Sequence, residues 1–253
     1  PLQFRIQQTP IRMAIHNGIS VHLSIGDTVL PEKDSETYGI VHTTYINPPT
    51  ASSPFSITIR KPPTDHAISA HIFLDGVCFT RPVMYGERMS MVIDSKRVSP
   101  TEYRQLMFTS LQNCKNEIST STEDTSEVGQ VVVKLKACRV LGLETFGTYK
   151  NSSLRKSSVV LDHQAKKLGL NHRSGLGPVK TSNCVHLKKK VEVAYDPTLG
   201  DTEFRFVYRS PGALELCDVF GKFALRPKNE TREIFDVNTQ PIIGIAGDVE
   251  MEL

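Results

Sequence analysis

The chain has no tryptophan, and aromatic residues are only 7% of its 253 positions. A core must therefore rest on Val, Ile and Leu with a few Phe, and an aromatic-lined sugar cleft is disfavoured. No apolar run approaches the ~20 residues of a membrane-spanning helix, so no membrane partner is expected. The start, Pro1-Leu2-Gln3-Phe4-Arg5, has neither the basic head nor the apolar stretch of a secretory signal. Without an initiator Met it reads as a processed or truncated beginning. The five cysteines (78, 114, 138, 184 and 217) are odd in number and lie 24 or more residues apart. No Cys-x-x-Cys pair exists, which excludes a zinc site built on close pairs. Reduced thiols are the expectation, and they suit an intracellular home, nuclear or cytoplasmic. The sequons at Asn151 and Asn229 are accordingly expected to stay unmodified.

Catalytic signatures are missing too. There is no Gly-x-Ser-x-Gly, no phosphate-loop pattern and no cysteine in a recognisable nucleophile setting. Most acids fall at turns or in one polar stretch, so no carboxylate pair can be assigned to acid–base work. His163 and His172, with Asp162 beside them, read as exposed loop histidines rather than metal ligands, and His71 as a surface histidine. The expectation is a non-enzymatic chain without metal or cofactor.

What is present is period-two alternation, the signature of strands with one buried face. Phe55, Ile57 and Ile59 alternate with Ser56, Thr58 and Arg60. Ile68, Ala70, Ile72 and Leu74 alternate with Ser69, His71 and Phe73. The stretch 54–79, closed by the Asp75-Gly76 turn, is read as the centre of an antiparallel sheet. Ile11 to Ile25 reads as a hairpin about Asn17-Gly18. Residues 31–36 read as a polar loop, 38–46 and 103–111 as strands, and 48–54 as a proline-rich connector. Residues 130–140 and 203–209 read as clear strands, the latter with Phe204, Phe206 and Tyr208 on one face. Short helices are expected at 157–168, ended by Gly169, and at 212–220 behind Pro211. The fold class expected is all-β, an antiparallel β-sandwich with one or two short helices; a jelly-roll is one arrangement that fits.

Charge is unevenly spread. The net charge is +3, yet residues 150–190 hold ten Lys or Arg against the single acid Asp162, a local +9. The stretch 113–129 is acidic, rich in Ser and Thr, and lacks apolar periodicity, so it reads as a loop. Gly175, Gly177 and Pro178 read as a chain reversal between helix and strand. The domain division expected is a sandwich over 1–222 and a tail or docking arm over 223–253.

The order of these motifs resembles an uncharacterised domain family of fungi. The resemblance rests on Pro-Phe-Ser-Ile-Thr-Ile-Arg (54–60), Ala-x-x-Ala-His-Ile-Phe-Leu-Asp-Gly (67–76) and Val-Val-Lys-Leu-Lys-Ala-Cys-Arg-Val (132–140). It continues through the lysine–glycine segment His163 to Gly177 and Phe-Arg-Phe-Val-Tyr-Arg-Ser (204–210). It covers roughly residues 10 to 222, and implies a mostly β, intracellular domain with no activity or catalytic residues to carry over.

Three functions are expected, in order. The first is an interaction module binding a protein partner, another copy included, through Arg155, Lys156, Lys166, Lys167, Arg173, Lys188, Lys189 and Lys190 and through the tail. The second uses the same cations on nucleic-acid phosphates, with steep salt dependence. The third is a sandwich that binds a small ligand or carbohydrate.

Overall fold

The computed structural model describes residues 14–49, 51–110, 128–146, 169–185, 188–220 and 243–249. The acidic stretch up to 127, the expected helix over 157–168, and Arg155, Lys156, Lys166 and Lys167 lie outside them. Strands dominate, in three sheets, with one short α-helix and one 3-10 turn among the described residues.

The first sheet has five strands. Hairpin β1 (Ala14–His16) and β2 (Ile19–Ile25) leads to β7 (Ser56–Arg60) and β11 (Ser90–Ile93), with β3 (Thr28–Val29) on β2. The hairpin turns where the sequence says it should: Asn17 and Gly18 both have positive φ, 52° and 74°. That pair of left-handed residues matches the twist of the flanking strands.

The second sheet has nine strands. Its path runs β10 (Val83–Met84), β8 (Ala67–Leu74), β14 (Gln130–Phe146), β17 (Asp201–Tyr208), β5 (Val41–Ile46) and β4 (Glu32–Tyr38). β9 (Val77–Thr80) pairs with β8, β16 (Lys188–Tyr195) with β14, and β18 (Ile243–Val249) with β16. β16 and β17 follow one another along the long β14, linked by the 3-10 turn Pro197–Leu199.

The third sheet is β12 (Ser95–Arg97), β13 (Glu102–Ser110) and β15 (His172–Thr181), with the two-residue β6 (Ser53–Pro54) on β13. Helix α1 (Pro211–Phe220) follows β17. Ser210 caps it, its hydroxyl accepting from the Ala213 N–H at 3.3 Å.

The sandwich is real: one apolar cluster joins inward residues of all three sheets. Val21, Leu23, Ile57 and Ile59 meet Ala70, Ile72, Leu74, Val131, Val133, Leu135, Phe204 and Phe206. Leu106 and Phe108 of β13 enter the same cluster. A second, smaller cluster gathers Ala67, Val83, Cys138, Val191 and Val193. Burial there pushes the Cys138 thiol up to about 11, so it serves as a small apolar side chain.

Several expectations are corrected. β7 and β8 are not neighbours in one sheet; they belong to different sheets and meet across the core. Alternation reports which face is buried, not which strand lies alongside, and the linker 61–66 carries the chain from one layer to the other. The stretch 31–36 is largely strand, not loop. β4 is the charged edge of the large sheet, where solvent accepts its Glu, Lys and Asp side chains. Its pairing slips between Lys33 and Glu36, around Asp34 at φ 47°. β17 and β5 pair in parallel, so the large sheet is mixed. Two strands so distant in the chain are freed from the hairpin constraint that imposes antiparallel order. Residues 172–181 form an extended strand rather than a reversal. Gly177 is needed there for room, since a Cβ would lie 2.8 Å from Met107 Cγ. Part of the tail, 243–249, pairs with β16 of its own chain.

Candidate functional site

The sheets differ in charge. On the outer face of the large sheet, acids and bases cancel. Lys134 Nζ lies 3.3 Å from Glu203 Oε2, Arg205 Nη2 lies 2.7 Å from Glu203 Oε1, and Lys136 Nζ lies 3.1 Å from Asp201 Oδ2. Register dictates this, because Lys134 pairs with Glu203 and Lys136 with Asp201 across β14 and β17.

His71 sits in this layer, half-buried rather than on the surface, with Nε2 3.1 Å from the Tyr195 hydroxyl. Desolvation chiefly, then the nearby Arg81 and Lys136, lowers its pKa to about 4. A base depressed in the folded state adds stability above its unfolded pKa and loses it as pH falls. Stability from His71 is thus complete above about pH 6.5 and disappears towards pH 4. Replacing His71 by Phe should flatten this loss by roughly 1–2 kcal/mol, a figure discounted for the ring's partial access to water. Urea midpoints of both proteins at pH 7 and pH 4.5 test it, and equal slopes with pH would refute it. The comparison must be a difference between the two proteins, because Glu32 works the other way. Burial pushes the Glu32 carboxyl up to about 7, against the opposing Ala14 backbone N–H, so its contribution fades as pH rises from about 4.5 to 7.

The third sheet does not cancel. Its strands carry Lys96, Arg97, Arg104, Arg173 and Lys180 against one acid, Glu102. Arg97, Tyr103 and Lys180 share one row across β12, β13 and β15. The Arg97 guanidinium stands 5.5 Å from the Tyr103 ring centroid, and Lys180 Nζ donates to Gln105 Oε1 at 2.6 Å. Arg104 is spent on structure: its guanidinium donates to the carbonyls of Gly177 at 2.7 Å and Leu176 at 3.1 Å, next to the register slip after Arg104. Lys96 donates to the Phe79 carbonyl at 2.9 Å. Lys180 is exposed and Arg173 half-buried, on the strand that begins four residues after the segment 147–168.

The cations singled out in the sequence are thereby divided. Arg173 lies in the third sheet, Lys188, Lys189 and Lys190 in β16 of the large sheet. Lys190 pairs in register with Glu144 on one side and Asp248 on the other. His172, expected in an exposed loop, is buried in β15, its Nδ1 2.8 Å from Asn171 Oδ1. Residues 96, 97, 103 and 180 were missed as a group, because their kinship is cross-strand register and has no trace in local spacing.

A second missed group is internal. Asp75, read only as a turn residue, is buried at φ 47°. Its carboxylate accepts from the Tyr208 hydroxyl at 2.5 Å and from the backbone N–H groups of Gly129 at 2.9 Å, Gln130 at 3.3 Å and Ser174 at 2.9 Å. Arg209 adds a bond to the Gly129 carbonyl at 3.0 Å. Burial raises the Asp75 pKa, and these bonds oppose that shift. The group joins β8, β14, β15 and β17, and its buried, fully engaged carboxylate suits clamping.

No protein-family model, curated protein or solved structure matches the chain. Among the described residues, no helix is long and apolar enough to cross a membrane.

Proposed function

We propose that the chain is a non-enzymatic interaction module that binds an acidic protein partner. The contacting parts are the basic segment 150–190 and the C-terminal tail, and the third sheet is the rigid floor beneath them. One observation carries the reading: five cations stand against one acid in the strands of that sheet, while the large sheet's outer face is neutralised pair by pair. Arg173 and Lys180 belong to both the basic segment and that floor, which joins the described surface to the remaining charges. The fungal family kinship belongs to the same proposal and rests on the motifs alone.

A second reading, contact with nucleic-acid phosphates, is favoured by Tyr103, an aromatic ring in one row with two cations. Titration with poly-glutamate and with a single-stranded oligonucleotide separates the two. Poly-glutamate should bind more tightly, weaken as salt rises, and lose about tenfold in affinity when Arg173 and Lys180 are both changed to Glu. Tighter binding of the oligonucleotide would replace the first reading by the second. Binding unaffected by the double change would overturn both.

A further inference from the structure

We propose a small-molecule site in a cleft remote in character from the charged sheet, one that takes a compact neutral ligand with an aliphatic body and one hydrogen-bond donor. The cleft has a volume of about 340 Å³. That is at the lower end of the ~300–1,000 Å³ of small-molecule sites. Four pieces of chain build it. The turn between β2 and β3 and its exit give Ile25, Thr28 and Leu30. The end of β5 gives Asn47, Pro48 and Pro49. Asn171 precedes β15, and Pro211 opens α1.

The walls are held by backbone bonds from neighbouring residues. The Arg209 N–H donates to the Ile46 carbonyl at 3.2 Å, the Ser210 N–H to the Gly169 carbonyl at 2.9 Å, and the Leu30 N–H to the Leu23 carbonyl at 2.8 Å. The cleft is therefore fixed before any ligand arrives.

Its chemistry is specific. None of the eight lining residues is charged, so a neutral ligand is favoured over an ion. None is aromatic, which leaves a sugar ring nothing to stack on. Three are prolines, which have no backbone N–H, so the lining is poor in donors. Asn47 Oδ1 is buried without a hydrogen-bond donor. A buried acceptor left unpaired is costly, and a ligand hydroxyl or N–H placed there relieves that cost. Asn171 Oδ1 already faces His172 Nδ1 at 2.8 Å, so Asn47 supplies the polar anchor.

Two probes of equal size test this: cyclohexanol, which brings a donor, and cyclohexanone, which does not. Each is titrated into the whole chain while backbone and side-chain amide resonances are followed by NMR. Cyclohexanol should shift Thr28, Asn47 and Asn171 with a dissociation constant of the order of millimolar, and bind about tenfold more tightly than cyclohexanone. Asn47→Leu should bring the two probes within about twofold of each other. Thr28→Phe, at an exposed position on the rim, should abolish binding of both. The proposal fails if cyclohexanol leaves those resonances unmoved, or if cyclohexanone binds as well in the unmodified chain. That comparison stands whether or not Asn47→Leu folds.

Discussion

Replacing Asp75 by alanine is expected to destabilise the fold by about 4 kcal/mol, a large share of the roughly 5–15 kcal/mol available to a domain. The loss comes from what the carboxylate leaves behind. The N–H groups of Gly129, Gln130 and Ser174 and the Tyr208 hydroxyl all lose an acceptor in a site that water does not reach. Tyr208→Phe removes only one donor, and the carboxylate keeps its three amides. That variant should lose about 1–2 kcal/mol. Asn at position 75 would turn an N–H₂ towards one of these donors, so its cost should lie near that of alanine. Urea unfolding of the three variants at neutral pH measures the differences. A loss below about 1 kcal/mol for Asp75→Ala would show that water or repacking satisfies the amides, and the clamp would be refuted.

The second large effect belongs to Phe108. Its ring is fully buried, stacked on Phe55 with centroids 4.2 Å apart and set edge-on to Tyr208 at 5.4 Å. It is the side chain that ties the basic sheet to the core. Phe108→Ala should lose about 3–5 kcal/mol through lost burial and the cavity left behind, and Phe108→Leu about 1–2 kcal/mol. Because Tyr208 touches both Phe108 and Asp75, the double variant Asp75→Ala/Phe108→Ala should differ from the sum of the single losses. Additive losses would show that the two groups act independently.

Much of the sheet architecture was legible because alternation is a local consequence of strand geometry. The burial of Ile57, Ile59, Ile72, Val133, Phe204 and Phe206 follows from a two-residue period alone. So do the two tight turns at Asn17-Gly18 and Asp75-Gly76, because few residues accept positive φ. The candidate site was less legible. Arg173 was singled out for its place in a basic run, but its neighbours in the sheet were not. Arg97, Tyr103 and Lys180 are brought into one row by pairings over 6 and 77 residues. The charged β4 was misread for a related reason: an edge strand bathed in solvent has a loop's composition and a strand's backbone.

By itself, then, the order of residues determined that this protein is built of strands, which side of most of them turns inward, and where its positive charge accumulates. Those properties depend on backbone geometry and composition within a few residues. The tertiary structure alone decided which strands are neighbours, that Asp75 meets Tyr208 133 residues away, and that Ile25, Asn47, Asn171 and Pro211 enclose a common space. Such meetings are set by register between distant segments and by packing across layers, and no local pattern encodes either one.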